Sequence, residues 1–94
     1  MVQGRLLRMS MVPAAAGTHS RFGIITSRRV GGAVDRNRVR RRIREICRLQ
    51  RPSVAPGYLI VISAKSAAAT AEYDALREEW LLLARRLSIL PPSS

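Results

Sequence analysis

The sequence predicts an α+β fold: a small two-layer sandwich with two helices packed on one mixed β-sheet, and residues 1–94 forming a single domain whose core spans about 5–88. Three observations point there. Apolar residues recur with period two, or as short runs, in three segments and with period 3.6 in two others, in the order strand, strand, helix, strand, helix. A chain of 94 residues supports one hydrophobic core, whereas halves of it would not. Hydrophobic residues make up 47% of the chain, too many for a disordered basic tail.

Leu7, Met9 and Met11 alternate with Arg8 and Ser10, the pattern of a half-buried strand. Residues 12–20 read as a loop, with Pro13 and Gly17 as breakers. Arg8 and Pro13 also interrupt the apolar start too early for a signal peptide. The stretch 21–27 is rich in β-branched residues and reads as a second strand, after which Gly31-Gly32 permits a sharp turn. A helix follows over about 34–50, ended by Pro52, Pro56 and Gly57. Tyr58-Leu59-Ile60-Val61-Ile62 is an unbroken apolar run, as expected of a strand buried on both faces. The last helix spans about 71–87, with Thr70 as N-cap, Pro91-Pro92 beyond its end, and one apolar stripe of Tyr73, Leu76, Trp80, Leu83 and Leu87. Trp80 at that spacing belongs to the core rather than to a base-stacking platform.

The formal charge is +11, and 16 of the 17 cationic residues are Arg, with Lys65 the exception. Arg presents a planar fork of donors that fits phosphate bidentately. The charge is concentrated: residues 28–51 hold ten Arg against Asp35 and Glu45. In the helix, Val39, Ile43, Ile46, Cys47 and Gln50 form an apolar stripe about 100° wide. Arg40, Arg44 and Arg48 line one flank, while Arg41, Arg38 and Arg42 continue round the exposed face. Four like-charge pairs at i,i+4 (36/40, 38/42, 40/44 and 44/48) together cost about 1–2 kcal/mol. Arg41/Glu45 and Glu45/Arg48 are the attractive pairs expected to offset them. An idle solvated face mixes signs, so a face this uniform points to a polyanion.

A helix does not read the deep, narrow major groove of A-form RNA, so contact would run through backbone, loops and shape. About five Arg on phosphates would lower affinity on the order of 10²–10³ between 50 and 200 mM salt. Aromatic residues are only 4% of the chain, which makes stacking a secondary mode. Folded RNA is the expected partner; a DNA-compacting protein is the reading to exclude by competition between duplex DNA and RNA.

Protein-borne catalysis is not expected. His19 is the lone histidine and has no evident partner. Asp35 reads as a helix-terminal structural residue, and Asp74 and Glu78 are the one carboxylate pair at i,i+4 on the last helix. Cys47 falls on an apolar stripe, where it packs. A single cysteine fits a reducing cytoplasm, and no apolar run approaches the ~20 residues of a membrane helix. Neither a membrane nor a protein partner is expected.

The run Arg21-Phe22-Gly23-Ile24-Ile25-Thr26-Ser27-Arg28-Arg29, continuing through Val30-Gly31-Gly32-Ala33-Val34 to Arg36-Asn37-Arg38, resembles the signature of the bacterial ribonuclease P protein subunit. The likeness extends over about residues 5–88. It implies a fold like the second domain of ribosomal protein S5, with a left-handed crossover, where the general rule for such connections gives a right-handed one. It implies a non-catalytic subunit that supports a catalytic RNA, whose Mg²⁺ performs removal of the 5′ leader from precursor tRNA. The expected partners are then that RNA and precursor tRNA, with no cofactor on the protein itself. The RNA-binding residues carried over are Arg28, Arg29, Arg36, Asn37, Arg38, Arg40, Arg41 and Arg44, with Arg48 extending the row. Two positions depart conservatively: Gly32 stands where Asn is usual, and Arg40 where Lys is usual. The family's basic, Phe-bearing N-terminal helix, which helps wall the leader cleft, has no counterpart before the first strand, so one sheet face is expected to lie open. The alternative function is that of a ribosomal or other structural RNA-binding protein with no role in cleavage.

Overall fold

The structure, a computed structural model, describes residues 1–14 and 19–91. Its elements are β1 (Val2–Gln3), β2 (Leu7–Pro13), β3 (Arg21–Thr26), α1 (Ala33–Gln50), β4 (Tyr58–Ala64) and α2 (Tyr73–Arg86), with short 3₁₀ turns at Arg28–Val30, Arg51–Ser53 and Ser66–Thr70. The sheet order is β1-β2-β4-β3. β2 runs antiparallel to β4, and β3 runs parallel to it, so the sheet is mixed and α1 is the crossover between its parallel strands. Among the described residues no helix is long and apolar enough to cross a membrane.

Both helices lie on one face of the sheet. Leu7, Met9, Ile60 and Ile62 point into that layer and are fully buried, against Val39, Ile43 and Ile46 of α1 and Leu76, Trp80 and Leu83 of α2. The expected apolar stripes of both helices are therefore the observed ones, except that Gln50 at the end of α1, Tyr73 at the start of α2 and Leu87 just beyond its end stay half-buried. The buried set runs from Leu6 to Leu90.

The one-sided layering overturns the two-sided burial expected for β4. Its residues alternate: Ile60, Ile62 and Ala64 are buried, while Leu59 is 38% exposed and Val61 and Ser63 are half-buried. The other face of the sheet carries rows read from the register, Arg8–Ser63–Ile25, Ser10–Val61–Gly23 and Val12–Leu59–Arg21. Arg8, Val12, Arg21, Ile25 and Leu59 on it are exposed.

Two local expectations also change. Val12 and Pro13 belong to β2 rather than to a loop, and Pro13 is tolerated because it ends the strand, opposite Tyr58. Gly17 and Pro92, expected as breakers, lie outside the described residues. The N-cap of α2 is Glu72, not Thr70, because residues 66–70 form their own 3₁₀ turn, closed by Ala71 N donating to Ala68 O at 3.3 Å. At the other end of α2 the chain reverses at Ser88, with φ 60°, and Ile89 N donates to Ala84 O at 3.1 Å. This turns Ile89 and Leu90 back into the core.

Sequence patterning did not anticipate β1, which pairs with Arg8 and Met9. Glu79 of α2 fixes the turn that joins it to β2 from the helix layer, accepting hydrogen bonds from Leu6 N at 2.8 Å and Leu7 N at 2.5 Å. Lys65 closes the same corner, donating to Gly4 O at 2.7 Å.

Candidate nucleic-acid interface

The turn leading into α1 sets where its arginines stand. Ser27 caps the 3₁₀ turn of Arg28–Val30 by accepting from Arg29 N at 3.3 Å. Gly31 follows with φ 140°, and a Cβ there would lie 2.6 Å from Asp35 Oδ2, so the position requires glycine. Gly32 is the N-cap of α1 in ordinary extended backbone, with no side-chain cap. Asp35, in the first turn, pairs with Arg38 at 2.8 Å and fills the helix-terminal role expected of it.

Burying one stripe of α1 divides its arginines between two flanks. On the β3 side, Arg40 donates to Thr26 Oγ1 at 2.6 Å. Beyond it Arg44, Arg48 and Arg51 border a groove of about 420 Å³ floored by Phe22, Ile24 and Cys47. Arg51 stacks over the Phe22 ring at 5.6 Å, and that ring in turn lies 6.1 Å from Trp80. On the opposite flank two guanidiniums are held by the protein itself. Arg38 donates to Ala69 O at 3.1 Å as well as to Asp35, and Arg42 donates to Ala71 O at 2.9 Å. These bonds lash α1 to the turn before α2.

The expected site residues thus fall in three places. Arg40, Arg44 and Arg48 form the β3-side row, and Arg44 and Arg48 are exposed. Arg38 and Arg41 lie on the other flank, Arg38 half-buried and Arg41 exposed, while half-buried Arg36 and exposed Asn37 occupy the first turns between them. Arg28 and Arg29 are exposed at the end of β3, where Arg29 shares a second groove of about 420 Å³ with Arg8, Lys65, Ser27, Ser63 and Ser66. That groove joins two cations from outside the arginine cluster, Arg8 and Lys65. The alternation of β2 could have signalled Arg8; the site role of Lys65 depends on strand register and had no local signal. Arg51, one turn beyond Arg48, was legible as an extension of the row.

Electrostatics inside the site are simple. The Arg48 guanidinium grips Glu45 at 3.0 and 2.6 Å, holds that carboxyl below the usual carboxylate range, and is itself raised. This is one of the two attractive pairs expected along α1; Asp35–Arg38 is a further one that the expectation omitted. Both pairs are substantially exposed and add little stability. Cys47 is a packed thiol, pushed up to about 11 by burial, with the neighbouring Trp80 indole and Arg51 pulling weakly the other way. Among the described residues Trp80 Nε1 is buried without a hydrogen-bond partner, which leaves the Cys47 sulfur as a contact rather than an acceptor. His19 is exposed, and among the described residues no group of three His, Cys, Asp or Glu side chains converges as metal ligands.

Comparison with known proteins places this geometry. The family model described as Ribonuclease P matches residues 1–88. The ribonuclease P protein component of Symbiobacterium thermophilum is 38% identical over 89 residues, covering 95% of this chain and 77% of that protein. The one from Roseiflexus sp. is 55% identical over 49 residues, covering 52% of this chain and 40% of that protein, and the matched stretch spans 63% of the Chloroflexus aurantiacus protein. Among solved structures, the RNase P protein from Thermotoga maritima, in complex with 1-(4-fluorophenyl)-2-thiourea, superposes with a TM-score of 0.81 at 26% identity over 90% of this chain and 82% of that one. The Staphylococcus aureus RNase P protein superposes with a TM-score of 0.86 at 21% identity over 96% and 82%, a likeness of fold.

Proposed function

Because the chain belongs to the ribonuclease P protein family, we propose that it is the RNA-binding subunit of a cytoplasmic RNA-based endonuclease that removes the 5′ leader from precursor tRNA. The observation that carries this reading is the arginine row on α1: exposed Arg44 and Arg48, the latter paired with Glu45, border with Arg40 one groove that no acidic side chain lines among the described residues. Guanidiniums so placed bind successive phosphates of a folded RNA, Arg48 by exchanging Glu45 for phosphate, and their mutual repulsion disappears when phosphate neutralises them. Arg28 and Arg29 extend the contact to the end of the sheet. Arg36, Asn37, Arg38 and Arg41 complete it along the first turns of α1.

Hydrolysis, on this reading, belongs to the RNA. The catalytic RNA holds the Mg²⁺ that activates the attacking water, and the protein needs no cofactor of its own. The protein's share is electrostatic: it lets strands of like charge approach, stabilises the RNA fold, and helps retain the precursor. The purified protein alone leaves precursor tRNA intact, whereas its addition to a bacterial ribonuclease P RNA gives cleavage at lower Mg²⁺ than the RNA needs by itself. Cleavage by the protein unaided would overturn the division of labour. Tight RNA binding with no change in the Mg²⁺ requirement would instead favour a structural RNA-binding protein.

A further inference from the structure

The flank of α1 that faces away from Phe22 holds a feature the arginine row does not account for. Val34, in the first turn of α1, and Tyr73, which opens α2, line one groove of about 520 Å³ together with Arg38, Arg41, Arg42 and Glu45. Val34 is 78% exposed, the highest value among the large apolar side chains described. Tyr73 is half-buried and lines the groove. The walls are set in advance: the bonds from Arg38 to Ala69 O and Asp35, and from Arg42 to Ala71 O, hold the start of α2 against α1. A ligand that enters therefore spends little on ordering them.

A bare phosphate would be served by the guanidiniums alone and would gain nothing from Val34 or Tyr73. An RNA base inside a duplex is stacked and unavailable to them. What uses an aromatic ring, an exposed aliphatic side chain and a cationic border at once is an unstacked nucleotide from a loop or bulge. Three arginines against one glutamate give the groove the matching charge. We propose that this groove seats one unstacked nucleotide of the RNA partner, its base against Tyr73 and Val34 and its phosphate on Arg41. The inference rests on the RNA-binding reading above and adds α2 to the interface.

The test measures binding of the full chain to an in vitro transcript of bacterial ribonuclease P RNA at several salt concentrations. Tyr73→Leu is expected to weaken binding about tenfold at fixed salt and leave the slope of log K against log[salt] unchanged, because stacking is lost and no phosphate contact is. Tyr73→Phe stays within about twofold of the parent on the same reasoning. Val34→Ser, at an exposed position where folding is unaffected, loses about threefold and decides the matter alone if Tyr73→Leu fails to fold. Arg44→Gln runs alongside and lowers the slope by about one. If Arg44→Gln weakens binding while Tyr73→Leu and Val34→Ser bind like the parent, the nucleotide seat is overturned and the RNA-binding reading stands. If all three bind like the parent, the RNA-binding reading itself falls.

Discussion

Glu79 reaches across the sequence to hold the first strands, and removing it should show how much the corner depends on it. Its carboxylate accepts from Leu6 N at 2.8 Å and Leu7 N at 2.5 Å, both partly buried. Hydrogen bonds to a charged group contribute about 1.5–3 kcal/mol each, and truncation leaves two donors that water reaches only in part. Discounting for that access, Glu79→Ala should cost about 2–3 kcal/mol, and Glu79→Gln, which keeps one acceptor, about 1 kcal/mol. An unfolding entropy near 2.1 cal/mol/K per residue makes 1 kcal/mol worth about 5 °C here, so Glu79→Ala should lower Tm by about 10–15 °C. A Cβ added at Gly4 would sit 2.6 Å from Glu79 Oε1, so Gly4→Ala should disrupt the same bonds by displacing the carboxylate. The two losses therefore overlap. In urea titrations followed by far-UV circular dichroism, the double variant Gly4→Ala/Glu79→Ala should be more stable than the sum of the singles by about 1 kcal/mol or more. Strict additivity, or a Glu79→Ala variant within about 0.5 kcal/mol of the parent, would refute the clamp.

Other parts of the fold make their own predictions. Ser88 occupies the left-handed region at φ 60°, so Ser88→Gly should stabilise the chain by about 0.5–1 kcal/mol, seen as a Tm higher by a few degrees. Arg42→Gln should cost about 1 kcal/mol through the lost bond to Ala71 O while leaving the salt slope of RNA binding unchanged; a flatter slope would make Arg42 a phosphate contact. Cys47, raised from 9.0 to about 11, keeps its proton in the folded state where the unfolded thiol has lost it. Its contribution is therefore fully present below pH about 9 and is lost as pH climbs toward 11, by about 2–3 kcal/mol in total. The difference in unfolding free energy between the parent and Cys47→Ala should shrink by that amount over the window, and a difference independent of pH would contradict it.

What the sequence disclosed, and what it hid, follows from the range of the interactions involved. The buried stripe of α1 was legible because Val39, Ile43, Ile46 and Cys47 repeat at the helical period, and that period also fixed which arginines could face outward. β4 was misjudged because an apolar run records composition rather than layering: Leu59 and Val61 are apolar yet lie on the face without helices. Thr70 had the chemistry of an N-cap, but backbone bonds in the preceding 3₁₀ turn claimed its segment first. The Glu79 clamp joins residues 72 and 73 positions apart, and no local pattern marks such a pairing. The arginines show the same limit. Their number and face were plain in the chain, whereas the difference between Arg44, free toward solvent, and Arg42, tied to Ala71, exists only once α2 and its leading turn are in place.

The claim on which the rest depends is that the β3-side row of α1 grips folded RNA through its phosphates. The most direct measurement is the salt dependence of binding to a bacterial ribonuclease P RNA transcript, for the parent and for Arg40→Gln/Arg44→Gln/Arg48→Gln. The parent should lose on the order of 10²–10³ in affinity between 50 and 200 mM salt, and the triple variant should bind more weakly with a slope shallower by about two to three units. A triple variant that folds, binds as tightly as the parent and keeps its slope would show that these guanidiniums do not hold the RNA.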